Sequence, residues 1–120
     1  MKTVLVVDDS DFMRTLIKRN ISALDISVIG EASDGKIAYE KYLELKPDIV
    51  TLDLAMQEHN GIDALKKIKQ HDPEAKVIIV CSTGGQGPII DEAKALGACA
   101  VINKPLKDDE LVNAMKKLLD

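Results

Sequence analysis

Short apolar runs alternate along this chain with longer stretches in which apolar residues recur at helical spacing. Val4 to Val7 is continuous and apolar, which predicts, with Thr3, a strand buried on both faces. Met13, Leu16, Ile17, Ile21 and Leu24 follow at helical spacing, with Arg14, Lys18 and Arg19 off that stripe and Ser10 or Asp11 placed to cap the helix. Ser27 to Gly30 predicts a weaker second strand. Ala38, Tyr42 and Leu45 mark a second helix that ends before Pro47, because proline disfavours the helical region for the residue preceding it. Asp48 to Leu52 predicts a third strand, and the polar loop Gln57 to Gly61 leads to a helix with Ile62, Leu65 and Ile68 on one side, stopped at Asp72-Pro73. Lys76 to Cys81 predicts the fourth strand. After a loop with Gly84, Gly85 and Gly87, Pro88 suits the first turn of a fourth helix and Gly97 its end. Cys99 to Ile102 predicts the fifth strand. Asp108, Asp109 and Glu110 load the first turn of a last helix, whose buried stripe is Leu111, Ala114, Met115 and Leu118.

Strands alternating with helices predict an α/β fold: a doubly wound parallel sheet of five strands, right-handed crossovers, and helices on both faces. The 120 residues read as one domain with no linker and no output domain. Apolar residues make up 46 % of the chain but aromatic ones only 2 %, so the core must be aliphatic. A net charge of −4 with both signs interspersed argues against a nucleic-acid partner. The apolar runs are too short for a membrane span and no signal segment opens the chain, so a soluble, cytoplasmic protein is expected. Cys81 and Cys99 fall at opposite ends of neighbouring strands, too far apart for a disulfide, and are expected to be buried, inert thiols.

The polar residues that carry chemistry collect where the strands end: Asp8-Asp9 after the first, Asp53 after the third, Ser82-Thr83 after the fourth, Lys104-Pro105 after the fifth. Taken singly, each has a bland explanation as a helix cap, turn residue or solvated loop. Taken together they matter, because open α/β sheets bind ligands outside the carboxyl ends of their strands. Clustered carboxylates need a countercharge, which a hard divalent cation such as Mg2+ supplies. A carboxylate beside such a cation, an ammonium and a hydroxyl is equipped to attack phosphorus.

These residues resemble the response-regulator receiver family, and within it the stand-alone, CheY-like chemotaxis branch. The resemblance spans the chain and is carried by Val4-Leu5-Val6-Val7-Asp8-Asp9-Ser10, Phe12-Met13-Arg14, the segment from Lys46-Pro47-Asp48 to Asp53, Asn60-Gly61-Ile62, Ser82 and Lys104-Pro105. It implies a flavodoxin-like strand order 2-1-3-4-5, taken over from the family rather than read from the pattern. It further implies that Asp53 accepts a phosphoryl group from a histidine kinase. Mg2+ would be held by Asp8, Asp9, Asp53 and the backbone carbonyl of Ala55. The Ser82 hydroxyl and the Lys104 ammonium would contact the phosphoryl oxygens, with Thr83 and Val101 counted among the switch residues, and the Lys104-Pro105 peptide would be cis. Partners implied are a flagellar motor switch or other effector, met by the face of the fourth helix, fifth strand and fifth helix, and a phosphatase; the chain would act as a monomer.

Departures from the family pattern are Gln57 in place of proline, Leu106 in place of phenylalanine, and Val101 at the position of an aromatic switch residue. Val101 has no ring to turn and is stiff about its one side-chain torsion. The response is therefore expected in residues 83–90 and the fourth helix. Ala55 and Gly84 occupy positions that govern water access to the phosphoryl group in relatives. His59 is expected to be a surface loop residue and His71 a helix-end residue. Three other functions compete: a phosphorelay intermediate, a metal-dependent phosphatase, which would need a further general base, and a flavin carrier, which would need aromatic residues.

Overall fold

The computed structural model describes residues 1–54, 61–82, 87–107 and 109–119. Its elements run β1 (Lys2–Val7), α1 (Asp11–Asn20), β2 (Ile26–Ala32), α2 (Gly35–Leu45), β3 (Ile49–Leu52), α3 (Gly61–His71), β4 (Lys76–Cys81), α4 (Pro88–Ala95), β5 (Ala100–Asn103) and α5 (Glu110–Leu119). All strand pairs are parallel, in the order β2-β1-β3-β4-β5, as the family resemblance implies.

The sheet divides the core in two, because successive strand residues point to opposite faces. Leu5, Val7, Val50, Leu52, Val77, Ile79 and Cys81 face α2, α3 and α4, meeting Ala38, Leu65, Ile68 and Ile90. Val4, Val6, Ile49, Ile78, Val80 and Ile102 face α1 and α5, meeting Ile17, Ile21, Leu111 and Met115. The unbroken apolar runs of β1 and β4 follow from this sandwiching.

Local chemistry sets the helix ends. The Ser10 hydroxyl accepts the Met13 N–H at 3.2 Å and caps α1. Pro88 opens α4, and Gly97, at φ 102°, follows its last turn in the left-handed conformation that suits glycine. The Asp109 carbonyl accepts the Asn113 N–H at 2.7 Å, so the acidic segment caps α5 from just outside it; Asp108 lies outside the described residues.

Three expectations need correction. The second strand is longer than Ser27 to Gly30, running from Ile26 to Ala32. Its pairing with β1 slips between Val4 and Leu5, where Val4 faces Val28 and Leu5 faces Gly30, leaving Ile29 as an extra residue. Asp48 does not belong to β3. Its carboxylate instead accepts the Thr3 N–H at 2.8 Å and the Thr3 hydroxyl at 3.1 Å. Cys99 precedes β5 and is exposed, so of the two only Cys81 is a buried thiol; neither is in a disulfide.

Tyr42 of α2 is 6 % exposed, and its hydroxyl donates to Asp72 Oδ2 at 3.2 Å. Burial and then the Asp72 charge push its pKa up from 10.0 to about 12. The folded state thus holds this proton more tightly than the unfolded state. The contribution is intact below pH 10 and is expected to decline as pH rises toward 12. Urea midpoints measured across that window should fall less steeply for Tyr42→Phe than for the wild type. Parallel curves would show that Tyr42 does not set the alkaline limb.

Candidate functional site

The carboxyl ends of β1, β3 and β5 bring Asp8, Asp53 and Lys104 together. Asp8 follows β1: its N–H donates to the Ala32 carbonyl at 3.1 Å, and its Oδ1 accepts the Ser10 N–H at 2.9 Å. Asp53 follows β3, and its N–H donates to the Val7 carbonyl at 3.1 Å. Lys104 follows β5 with its N–H on the Cys81 carbonyl at 2.8 Å, ahead of a cis peptide to Pro105. Each residue is thus fixed by the strand ladder it extends.

The Lys104 ammonium lies 2.7 Å from Asp8 Oδ2 and 3.3 Å from Asp53 Oδ2. Asp8 is 0 % and Asp53 4 % exposed, so both carboxylates are removed from water, and both pair with the Lys104 ammonium. Asp9 stands at the rim, exposed. Partial loss of water, then the charges of Asp53 and Asp8, push its carboxyl above the usual range, and Lys104 pulls the other way.

Asp8, Asp9 and Asp53 each offer a carboxylate oxygen, all within 4.8 Å of one another. This donor set suits a hard cation. Three carboxylates against one ammonium leave an excess of negative charge, which a divalent ion would balance. The acidic cluster therefore fits the metal expected from the sequence.

Ser82 lies just beyond the carboxyl end of β4 and is exposed. Val101 lies within β5 opposite Ile79 and is half-buried against the α3/α4 side of the core. Ala55, Gln57, His59, Thr83 and Gly84 lie outside the described residues. A concavity of about 430 Å³ lies at the other end of the sheet among Tyr42, Asp48, Asp72 and Lys76, away from this chemistry.

Sequence reading missed Arg14. Periodicity places it off the buried stripe, yet its side chain is only 12 % exposed and its guanidinium donates to the backbone carbonyl of Asp8. Nothing in the spacing separates it from Lys18 or Arg19; the hints are its nearness to Asp8-Asp9 and its place in the Phe12-Met13-Arg14 segment that carries the family resemblance.

Among the described residues no helix is long and apolar enough to cross a membrane. Residues 4–116 match the response regulator receiver domain. The chain is similar to the chemotaxis protein CheY of Thermotoga maritima, 50 % identical over 117 residues that cover 98 % of this chain and 97 % of that protein. It is 43 % identical to chemotaxis protein CheY of Bacillus subtilis over 98 % of this chain and 97 % of the relative. Among solved structures, the CheX–CheY–BeF3–Mg complex from Borrelia burgdorferi superposes with a TM-score of 0.91 at 30 % identity, covering 99 % of this chain and 90 % of that one. Strand order, the acidic cluster bridged by Lys104, and a match over nearly the whole chain agree: this protein belongs to the response-regulator receiver family.

Proposed function

We infer that this chain is a phosphoacceptor switch of the chemotaxis type, with Asp53 as the acceptor. The observation that carries the reading is the pair of buried carboxylates on one ammonium, with a third carboxylate at the rim. Asp8, Asp9 and Asp53 would hold Mg2+, which when bound neutralises charge on the transferring phosphoryl oxygens. An Asp53 carboxylate oxygen attacks phosphorus of a phosphohistidine. A P–O bond forms as the P–N bond breaks, and the imidazole keeps the bonding electrons. The product is a mixed anhydride, and attack by water at phosphorus returns the carboxylate and inorganic phosphate. Lys104, already on Asp53, would follow the charge onto the new phosphoryl oxygens. Ser82 would donate to them from the mouth.

The donor would be a histidine kinase, with the transfer catalysed by the receiver itself. The effector, a flagellar motor switch or similar protein, would meet the α4–β5–α5 face. A phosphatase would reset the switch in the cytoplasm. The structural relative crystallised with CheX and the CheY names of similar proteins support this chemotaxis reading over a phosphorelay.

Acetyl phosphate with Mg2+ is expected to add one phosphoryl group to the wild type and none to Asp53→Asn, followed by intact-mass spectrometry. Chelation should stop labelling without unfolding the domain. Label that persists in Asp53→Asn would sink the assignment.

A further inference from the structure

We propose that Arg14 is a positioning residue for the metal site, fixing the Asp8–Asp9 peptide so that the Asp9 carboxylate faces the position of a divalent cation. The inference rests on the phosphoacceptor reading above and assigns a duty within that site.

The Arg14 fork joins two elements to the acidic loop. One terminal nitrogen donates to the Asp8 carbonyl oxygen, Nε donates to Glu31 Oε1 at 3.0 Å, and the other terminal nitrogen pairs with the exposed Asp11 carboxylate. Glu31 belongs to β2 and is gripped from its other oxygen by Lys18 at 2.9 Å. Its carboxyl is held below the usual range by the Lys18 hydrogen bond and, against the opposing effect of burial, by Arg14. The guanidinium is thus anchored on a sheet strand while it grips a backbone carbonyl.

That carbonyl belongs to the peptide whose nitrogen is Asp9. A planar peptide pinned at its oxygen has its orientation set, and with it the direction in which Asp9 leaves the chain. The other two carboxylates have separate restraints: Asp8 on the Ser10 N–H and Lys104, Asp53 on β3 and Lys104. Asp9 stands at the exposed rim and is repelled by both neighbours. It is the ligand most in need of backbone support, and Arg14 supplies it. A lysine would bring the charge but not the planar fork that spans carbonyl and carboxylate.

Mg2+ titration calorimetry on wild type, Arg14→Ala, Arg14→Lys and Glu31→Gln tests this, with urea midpoints on the same samples. Arg14→Ala is expected to weaken Mg2+ by about 10-fold or more, the usual cost of losing a group that orients a ligand. Glu31→Gln should weaken it less, and Arg14→Lys should not restore it. In acetyl phosphate labelling, the half-saturating Mg2+ concentration should rise while the rate at saturating Mg2+ stays near the wild-type rate. A merely structural contact would lower the urea midpoint but leave Mg2+ affinity of the folded protein unchanged, which would overturn the inference. Should Arg14→Ala fail to fold, Arg14→Lys and Glu31→Gln carry the same readouts. A wild type that binds no Mg2+ and takes no label would instead bring down the phosphoacceptor reading, and this inference with it.

Discussion

Gly61→Ala is expected to damage stability and phosphoryl transfer together. A Cβ at Gly61 would stand 2.0 Å from the Asp53 carbonyl oxygen and 2.8 Å from the Leu54 Cα. Both obstacles are backbone, so no rotamer change relieves them. Either the end of β3 or the start of α3 must move, and the end of β3 carries the proposed acceptor. Overpacking of this kind costs about 3 kcal/mol. A displacement of the acceptor by about 1 Å can slow transfer by about 100-fold. Urea unfolding and the rate of acetyl phosphate labelling read the two effects separately. Gly30→Ala is the useful contrast. Its Cβ would meet the tip of Leu45 at 2.7 Å, a flexible side-chain end that can give way, and the site lies elsewhere. A Gly61→Ala protein with wild-type midpoint and labelling rate would show that the strand end moves freely.

The second large effect is expected from Lys104→Ala. Removing the ammonium leaves two buried carboxylates without the cation they share. Breaking a buried pair in this way costs about 3–5 kcal/mol. Without divalent cations the variant should unfold at much lower urea than the wild type. Mg2+ should recover more stability in the variant than in the wild type, since the added ion takes over the missing countercharge. Burial alone would lower the lysine's pKa, but the hydrogen bond to Asp8 and the charges of Asp53 and Asp8 leave it raised above 10.5. The ammonium's contribution is therefore fully present at neutral pH and, on the alkaline side, is lost as pH rises beyond 10.5. Equal metal-free midpoints for variant and wild type would remove Lys104 from the stability of the site. Some phosphorylation should survive in Lys104→Ala, with loss of the partner-binding response.

How far the sequence alone could be followed depended on burial. β1 and β4 lie inside the sheet, are covered on both faces, and stand out as unbroken apolar runs. β2 forms an edge with every residue but Ala32 half-exposed, so its pattern is diluted and its ends were drawn short. The extra residue at Ile29 left no mark in the sequence, because a slip in pairing depends on the neighbouring strand. Cys99 looked buried because it adjoins an apolar run, but β5 is the other edge strand and begins one residue later. The site was more legible than the edges. Asp8, Asp53 and Lys104 each directly follow a strand, and a parallel sheet aligns those positions whatever the loops do. Arg14 was not legible, because a cation that supports a backbone carbonyl has the same helical spacing as one pointing into water.

The ion pair between Lys104 and Asp8 joins residues separated by 96 positions. This has a consequence for how the protein is made. Synthesis delivers Asp8, Asp9 and Asp53 early, while the ammonium that two of them share emerges only after β4 and α4. An unfinished copy on the ribosome therefore carries its acids without their countercharge, and β4 has not yet gained β5 as a neighbour. The paired acidic cluster is therefore assembled late, once β5 has been made and Lys104 can reach back to Asp8 and Asp53.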